Sequence, residues 1–373
     1  MLEHGGTDLG PTVAWDFSTN ANPLPPPESL SMVLAGVDRR RYPEPSYLHL
    51  RERLAQASLG DAQRILPTAG SAEAIRRLTL LARLRGATRV WTPWPGFGEY
   101  AAAAEALGLT VHRHSGVDSL AEGVSACRAS GERAPMLVWV CDPCNPTGRC
   151  LSELAWQQLA DLSVNHELML AVDLAYAPMR WPQRAAGGQG ALPARVGDIA
   201  WQLWSPNKAL GLTGVRAGAM VAPVSVQQAD VDRLLQLAPS WVLSAEGVAL
   251  LQAWCEPEVQ DWLQACSQQL ATWRDELAIE LQALGWSLHA DLPIDQHAHH
   301  DGSGPLVPFL LARPPEGESA AHVLQRCRAA GIRLRDASSL GLPGWLRLRA
   351  HVPEARRALL ACLRNGQQVE ARA

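Results

Sequence analysis

The stretch Ser205-Pro-Asn-Lys208-Ala-Leu-Gly-Leu-Thr-Gly-Val-Arg216-Ala-Gly218 lies between two apolar runs, residues 199–203 and 217–221, that are typical of buried strands. A charged lysine between buried strands is costly unless it has a chemical role. One such role is an imine with an aldehyde cofactor, and Ser205 and Arg216 would then bind an anionic group of that cofactor. A lysine on an exposed loop has the same spacing, so this stretch alone leaves both interpretations open.

The overall composition limits the class of protein. A chain of 373 residues that is 47% hydrophobic and 19% charged is typical of a globular protein with two domains. A net charge of −4 argues against nucleic acid as a partner. No apolar run approaches the roughly 20 residues of a membrane span, so no membrane association is expected. Without a basic and then apolar N-terminus, and with eight scattered cysteines, we expect a cytoplasmic location.

Strand and helix patterns alternate through the first part of the chain. The predicted strands are 89–92, 110–114, 136–141 and 168–173, together with the two strands around Lys208. The predicted helices are 46–58, 71–85, 97–107, 119–130 and 152–165. This alternation predicts an α/β fold in which helices cover both faces of a mostly parallel sheet.

The pattern changes after Val224. Helical patterns fill residues 225–285 without an intervening strand. A smaller mixed set follows, with predicted strands at 287–290, 306–311, 332–335 and 345–349 and helices at 320–330 and 353–364. We therefore predict an irregular N-terminal arm at 1–40, a large domain at 41–244, and a smaller α+β domain at 245–373 that packs with the arm.

Polar residues follow successive predicted strands. Asn145 comes after the strand at 136–141, Asp173 ends the next strand, and Tyr176 follows three residues later. The Gly70-Ser71 turn opens a helix, whose N-terminal amides suit a phosphate. Ligands of open parallel sheets bind beyond the carboxyl ends of the strands. The sequence therefore predicts one crevice with a lysine, a carboxylate, an amide, a phenol and an anion cradle, the set that pyridoxal phosphate needs.

Asn145-Pro-Thr-Gly148, Asp173-x-x-Tyr176 and Ser205-x-x-Lys208 with Arg216 together resemble the fold-type I pyridoxal-phosphate aminotransferase family over nearly the whole chain. The resemblance implies a seven-stranded, aspartate aminotransferase-like sheet and pyridoxal 5'-phosphate bound covalently to Lys208. It further implies contacts of the pyridine nitrogen with Asp173, of the ring oxygen with Tyr176 and Asn145, of the ring face with Phe97, and of the phosphate with Gly70, Ser71, Ala72, Ser205 and Arg216.

The same resemblance implies a homodimer with shared active sites. Tyr42 falls where a tyrosine of the partner subunit reaches the cofactor phosphate, and Arg347 falls where the substrate carboxylate is bound.

Some motifs resemble the L-threonine-O-3-phosphate decarboxylases of cobalamin synthesis, which are close relatives of the histidinol-phosphate aminotransferases. These motifs are His4-Gly5-Gly6, Asp16-Phe-Ser-Thr-Asn-Ala-Asn22-Pro23-Leu and Gly331-Ile-Arg-Leu-Arg335. The resemblance implies a small phosphorylated amino-acid substrate with His4 and Asn22 near its phosphate and Arg335 as a further contact. The expected reaction is decarboxylation of threonine phosphate to (R)-1-aminopropan-2-yl phosphate, and transamination of the histidinol-phosphate type is the alternative.

Three positions depart from these patterns: Leu174, where an acidic residue is usual, Asn207, where Ser or Thr is commoner, and His351, where the decarboxylases have a second arginine. Other groups invite simpler interpretations. The alternating arginines near Arg335 and Arg347 could form solvated strand faces, and Cys141-x-x-Cys144 could be a redox or zinc pair. The group His297, His299 and His300 is expected in a flexible loop, and no metal site is expected.

Two functions without catalysis are also compatible with such a fold. A pyridoxal-phosphate-binding regulator would carry a basic DNA-binding domain ahead of the arm, whereas the arm motif here begins at His4. A cofactor-free scaffold would lack the absorbance of bound pyridoxal phosphate.

Overall fold

The computed structural model describes residues 4–182, 192–291 and 306–370, and its elements are numbered in chain order. The strands are β1 (Trp15–Asp16), β2 (Ile65–Thr68), β3 (Arg89–Pro93), β4 (Thr110–His114), β5 (Met136–Cys141), β6 (Met169–Asp173), β7 (Trp201–Trp204), β8 (Gly218–Val221), β9 (Ser287–Leu288), β10 (Phe309–Arg313), β11 (Ile332–Arg333), β12 (Arg335–Asp336) and β13 (Leu346–Arg349). The α-helices are α1 (Glu28–Ala35), α2 (Leu48–Leu54), α3 (Ser71–Leu84), α4 (Glu99–Glu105), α5 (Val117–Ala129), α6 (Glu153–Asn165), α7 (Ala194–Ile199), α8 (Gln228–Leu237), α9 (Ala245–Trp254), α10 (Pro257–Ala283), α11 (Ala320–Ala329) and α12 (Pro353–Glu370). No helix in these ranges combines the length and the hydrophobicity of a bilayer span.

The large domain is built on a seven-stranded sheet with the order β2-β8-β7-β6-β5-β3-β4. Strands β7, β6, β5, β3 and β4 run parallel, whereas β8 is antiparallel to both of its neighbours. Along β5, Val138 and Val140 belong to the core on one face, while Leu137 and Trp139 belong to the core on the other. Because both faces are buried, the strands are nearly continuous apolar runs. The predicted α/β fold is confirmed.

The seventh strand, β2, is one that the sequence pattern does not indicate. It contains Pro67, which cannot donate a backbone hydrogen bond and therefore argues against a strand. The sheet tolerates this proline because β2 lies at its edge and pairs only with β8.

The small domain contains a four-stranded antiparallel sheet with the order β12-β13-β10-β9. Leu346 and Leu348 of β13 face the core of this domain, which leaves Arg347 and Arg349 on the opposite face. The single strand predicted at 332–335 is wrong in one respect: it is two short strands, and β11 and β12 belong to different sheets. Because the chain changes sheet at Leu334, Arg335 lies opposite Arg347 in the four-stranded sheet instead of continuing β11.

The N-terminal arm pairs with the small domain and then reaches the large one. Strand β1 lies parallel to β11, and the Phe17 amide donates to the Arg333 carbonyl oxygen at 2.8 Å. Phe17 is fully buried in the small-domain core. Five residues later, the Asn22 amide donates to the carbonyl oxygen of Lys208 at 2.8 Å. These contacts support the proposed packing of arm and small domain, whose residue boundaries stay a prediction.

Helix α5 packs closely on the sheet at Gly123, where a Cβ atom would overlap the indole ring of the buried Trp91. We expect Gly123→Ala to lower the free energy of unfolding by about 1–3 kcal/mol, because overpacking displaces the ring or the helix. Chemical denaturation measures this difference. The matched control is Gly197→Ala in α7, where the nearest atom lies at 3.6 Å and alanine should be neutral or stabilising. Equal stability of the Gly123 variant and the parent would contradict this packing.

Candidate active site

A cavity of about 580 Å³ lies beyond the carboxyl ends of β5, β6 and β7, between the two domains and the arm. Because parallel strands end at the same edge of a sheet, residues distant in sequence meet there. The following residues predicted from sequence line the cavity: His4, Ser71, Ala72, Phe97, Asn145, Asp173, Tyr176, Ser205, Lys208, Arg216, Arg335 and Arg347.

An anion cradle forms where α3 begins. Gly70 precedes the helix with φ +89°, and no side chain caps the first turn, so the backbone amides there are open to a ligand. The Ser71 hydroxyl lies 3.0 Å from that of Ser205. A Cβ atom at position 70 would lie 2.9 Å from Nη2 of Arg216, so glycine keeps the arginine close to the helix N-terminus. The arrangement suits a phosphate.

Asp173 provides a buried carboxylate at the end of β6. Its Oδ2 accepts a hydrogen bond from the Tyr100 hydroxyl at 2.8 Å, and its Oδ1 accepts one from the Ala175 amide at 3.0 Å. Burial raises the pKa of Asp173 above its ordinary value, while the nearby Lys208 charge and these hydrogen bonds act in the opposite direction. The carboxylate is therefore placed to pair with a positive charge inside the cavity.

Lys208 is half-buried in the cavity wall, and its Nζ lies 5.1 Å from the centre of the Tyr176 ring. The lysine backbone is fixed on two sides, since its carbonyl oxygen accepts from the amides of Asn22 and Gly211. The amine is thus on a rigid turn, opposite Asp173, rather than on an exposed loop.

The phenol of Tyr176 faces two asparagines. Nδ2 of Asn20 donates to the Tyr176 hydroxyl at 3.2 Å, and Oδ1 of Asn20 has no hydrogen-bond partner in the described residues. Asn145 lies on the same wall, where its Oδ1 accepts from Arg347. The sequence interpretation missed Asn20 because it chose the neighbouring Asn22.

Two buried arginines of the small domain, Arg335 and Arg347, enter the cavity. They are 3% and 5% exposed, so the interpretation as solvated strand faces does not apply to them. Arg335 donates to the Ser339 hydroxyl at 2.7 Å. Arg347 donates to Oδ1 of Asn145 and, at 2.8 Å, to the Ser18 carbonyl oxygen. Burial, together with the neighbouring Arg335 charge, lowers the pKa of Arg347 to about 10, which leaves it cationic at neutral pH.

His4 lines the cavity beside Glu99 and Phe97. Its Nε2 is 3.4 Å from Oε1 of Glu99, whose other oxygen accepts from Arg76 at 3.0 Å. The imidazole also approaches the Phe97 ring, with 6.1 Å between the ring centres. The Glu99 carboxylate therefore orients the His4 imidazole at the cavity.

Three predicted contact residues do not line this cavity: Gly70, which directly precedes the anion cradle, and Asn22 and Tyr42, which lie elsewhere. Asn22 is buried behind it, where Nδ2 donates to the Ala209 carbonyl oxygen and Oδ1 accepts from the Leu24 amide. Tyr42 is 76% exposed and stacks on Trp241, with 4.2 Å between the ring centres. Asn22 thus braces the arm, and Tyr42 is exposed on the surface.

The three departures have different environments. Leu174 is buried in the large-domain core. Asn207 lines the cavity, where its Oδ1 has no hydrogen-bond partner in the described residues. His351 packs against Phe17 with ring centres 5.1 Å apart and does not line the cavity. The predicted loop with His297, His299 and His300 lies outside the described residues.

Comparison with known proteins agrees with this architecture. The family model "Aminotransferase class I and II" matches residues 14–361. The chain belongs to this family. A histidinol-phosphate aminotransferase of Ruegeria sp. (strain TM1040) is 28% identical over 94% of this chain and 90% of its own length. A threonine-phosphate decarboxylase of Salmonella typhimurium is 31% identical over 75% of this chain and 76% of its own length.

Solved structures of the family share the fold. The L-threonine-O-3-phosphate decarboxylase of Porphyromonas gingivalis superimposes with a TM-score of 0.72 and 20% identity, covering 94% of this chain and 99% of that one. An aspartate aminotransferase of Thermus thermophilus, determined with maleate, has a TM-score of 0.72 over 94% of this chain and 91% of that one. At 19% identity this likeness concerns the fold alone.

Members of the class I and II aminotransferase family use pyridoxal phosphate, and the cavity fits that group. The open α3 amides, together with Ser205 and Arg216, suit its phosphate. A side chain at position 70 would collide with Arg216, so glycine keeps this cradle open. Asp173 offers a buried acceptor for the pyridine nitrogen, and Lys208 offers an amine for the aldehyde.

His351 makes the protein sensitive to acid. Burial, aided by the adjacent Arg349 charge, lowers the pKa of His351 from 6.5 to about 4. The unfolded chain then binds the proton more tightly than the folded protein does. The contribution of His351 to the free energy of unfolding is therefore constant above pH 6.5 and falls as the pH drops towards 4. We expect this group to cost up to about 3 kcal/mol over that window.

Denaturant unfolding between pH 7 and 4 measures this contribution. His351→Gln should flatten the pH profile relative to the parent, whereas His322→Gln, the same change on the exposed side of α11, serves as the control. Parallel profiles for the parent and the His351 variant would contradict the assigned proton linkage.

Proposed function

We propose that the chain is a cytoplasmic, pyridoxal-phosphate-dependent decarboxylase of L-threonine O-3-phosphate. The product would be (R)-1-aminopropan-2-yl phosphate, and the role a step of cobalamin biosynthesis. The observation that carries the proposal is the pair of buried arginines, Arg335 and Arg347, in the same cavity as Lys208.

Arg335 and Arg347 carry like charges at paired positions of β12 and β13, and an anion bound beside them would offset their repulsion. Among the described residues Arg347 donates only to neutral oxygens, those of Asn145 and Ser18. The Arg335 charge contributes to the lowered pKa of Arg347, which reports that repulsion. Threonine phosphate carries a carboxylate and a phosphate on adjacent carbons, so it would satisfy two neighbouring cationic groups at once.

A histidine at the cavity supports the assignment of the phosphate. His4, Gly5 and Gly6 line the cavity, and Glu99 orients the His4 imidazole from behind. Asn20 adds an amide on the cavity wall. We assign the carboxylate to Arg347 and the phosphate to the region of His4, Asn20 and Arg335.

The residues of this chain would divide the chemistry between them. Ser71, Ser205 and Arg216 would hold the cofactor phosphate, and Asp173 would keep a proton on the pyridine nitrogen. Bound pyridoxal phosphate supplies an electron sink for the Cα bond that breaks. The Lys208 amine, beside Tyr176 and Asp173, is the group we assign to deliver a proton to Cα. The bond that breaks is chosen by how the arginines orient the substrate.

The alternative is an aminotransferase of the histidinol-phosphate type. The histidinol-phosphate aminotransferase of Ruegeria sp. (strain TM1040) aligns with 94% of this chain, more than the 75% that aligns with the decarboxylase. The same cofactor residues serve both reactions, so the discriminating property is the bond at Cα that is broken.

Product analysis distinguishes the two reactions. We expect purified protein loaded with pyridoxal phosphate to release carbon dioxide from threonine phosphate without an amino acceptor. Arg347→Met should reduce kcat/KM about 100-fold, because a charge-assisted contact to the carboxylate is lost. The control Arg357→Met changes an exposed residue of α12 and should keep the parent value. Transamination of histidinol phosphate with 2-oxoglutarate, without carbon dioxide release from threonine phosphate, would contradict the proposal.

We further propose a homodimer in which Tyr42 reaches the cofactor phosphate of the partner subunit. Tyr42 and Trp241 form an exposed aromatic pair, and Met32 and Val33 of α1 are also exposed, at 66% and 47%. Exposed apolar side chains of this size favour burial against another surface.

Mixing inactive subunits tests the shared site. Lys208→Ala and Tyr42→Ala subunits, unfolded and refolded together, should recover about one quarter of the parent activity, because half of the dimers carry one intact site. As a control, Lys208→Ala mixed with Asp173→Asn should recover nothing, since both residues belong to the same subunit's site. Absence of recovery in the first mixture would contradict the shared site.

A further inference from the structure

The hydroxyl of Tyr100 is buried against the carboxylate of Asp173. Tyr100 is 0% exposed, and its Oη donates to Oδ2 of Asp173 at 2.8 Å, although 73 residues separate the two. Tyr100 belongs to α4, next to β3, whereas Asp173 ends β6. The hydrogen bond therefore joins the helix that follows Phe97 to the strand that carries the carboxylate.

We propose that Tyr100 is a positioning residue that orients the Asp173 carboxylate and keeps it ionised opposite the pyridine nitrogen of the cofactor, through the hydrogen bond from Tyr100 Oη to Asp173 Oδ2. The inference rests on the proposed pyridoxal-phosphate function and adds a residue that the sequence motifs do not nominate.

Packing alone does not require the hydroxyl. The Tyr100 ring stacks on Trp139 with 5.0 Å between ring centres and meets Phe97 edge-on at 5.7 Å. A phenylalanine would make the same ring contacts. Burying a hydroxyl is costly unless it is hydrogen-bonded, so its presence here points to the carboxylate that it contacts.

The direction of this hydrogen bond follows from the surroundings. Burial, with the adjacent Asp173 charge, raises the pKa of Tyr100 well above its ordinary value, so the phenol keeps its proton and donates. Burial also raises the pKa of the Cys141 thiol, so the other titratable group beside Asp173 from β5 stays neutral. Lys208 is the cation that faces Asp173, and Ser71 adds a weak hydroxyl contact at 3.5 Å.

Each donor to Asp173 favours the arrangement in which the carboxylate is ionised and the pyridine nitrogen is protonated. Without the Tyr100 hydroxyl, Asp173 becomes more basic and competes for that proton. When the pyridine nitrogen is not protonated, the nitrogen that joins the cofactor to Lys208 has a higher pKa and keeps its proton to a higher pH. The absorbance titration of the lysine-bound cofactor therefore reports on Tyr100 without any substrate.

The test is a pH titration of the visible absorption band in the full-length protein loaded with pyridoxal phosphate. We expect Tyr100→Phe to raise the midpoint by about one pH unit and to weaken cofactor binding about tenfold. The matched control is Tyr47→Phe, which removes another buried hydroxyl, one that donates to the Leu243 carbonyl oxygen and does not line the cavity. This control should keep the parent midpoint.

A second variant keeps the ring packing and strengthens the donor. Site-specific 3,5-difluorotyrosine at position 100 has a more acidic hydroxyl, and it should shift the midpoint in the opposite direction from Tyr100→Phe. A parent protein with the cofactor band and an unmoved midpoint in both variants would overturn this inference alone. A parent protein that shows no cofactor band would overturn the proposed cofactor and this inference with it.

Discussion

The constraint on which the site depends is the burial of the Asp173 carboxylate. A carboxylate removed from water is unfavourable unless hydrogen bonds and a positive charge compensate it. In this chain the compensation comes from three separate elements: the hydroxyl of Tyr100 on α4, the amide of Ala175 after β6, and the charge of Lys208 after β7. The electrostatic requirement of one side chain therefore ties the relative positions of these elements to the geometry of the cavity.

The part of the site that surrounds this carboxylate can be predicted from the sequence. Asn145, Asp173 and Ser205 each occur at or just after an apolar run, and the edge of a parallel sheet brings such positions together. Local signals fail where tertiary contacts decide. Pro67 argues against a strand, although β2 lies at the sheet edge where a proline is tolerated. The strands on either side of Leu334 are predicted as one because hydrophobic periodicity does not reveal that they belong to different sheets.

The cavity residues of the N-terminal arm and of α4 are less predictable, because tertiary contacts again decide which side chains face the cavity. Asn20 and Asn22 are two residues apart in an irregular arm, and no periodic pattern tells which amide faces the cavity; the structure brings Asn20 there and uses Asn22 to brace the arm. Tyr100 lies three residues after Phe97, which the sequence does indicate, yet its hydroxyl contacts Asp173, 73 residues further along the chain. Contacts of that range depend on packing rather than on local sequence.

The backbone of the N-terminal arm connects Arg347 of the small domain with Lys208 of the large domain. The Ser18 carbonyl oxygen accepts from Arg347, and the Asn22 amide donates to the carbonyl oxygen of Lys208, so the five residues 18–22 link Arg347, to which we assign the substrate carboxylate, to Lys208, to which we assign the cofactor. Reaction rates depend on sub-ångström positioning, and a short backbone link is stiffer than two long side chains. The backbone of the arm therefore helps to fix the position of Arg347 relative to Lys208.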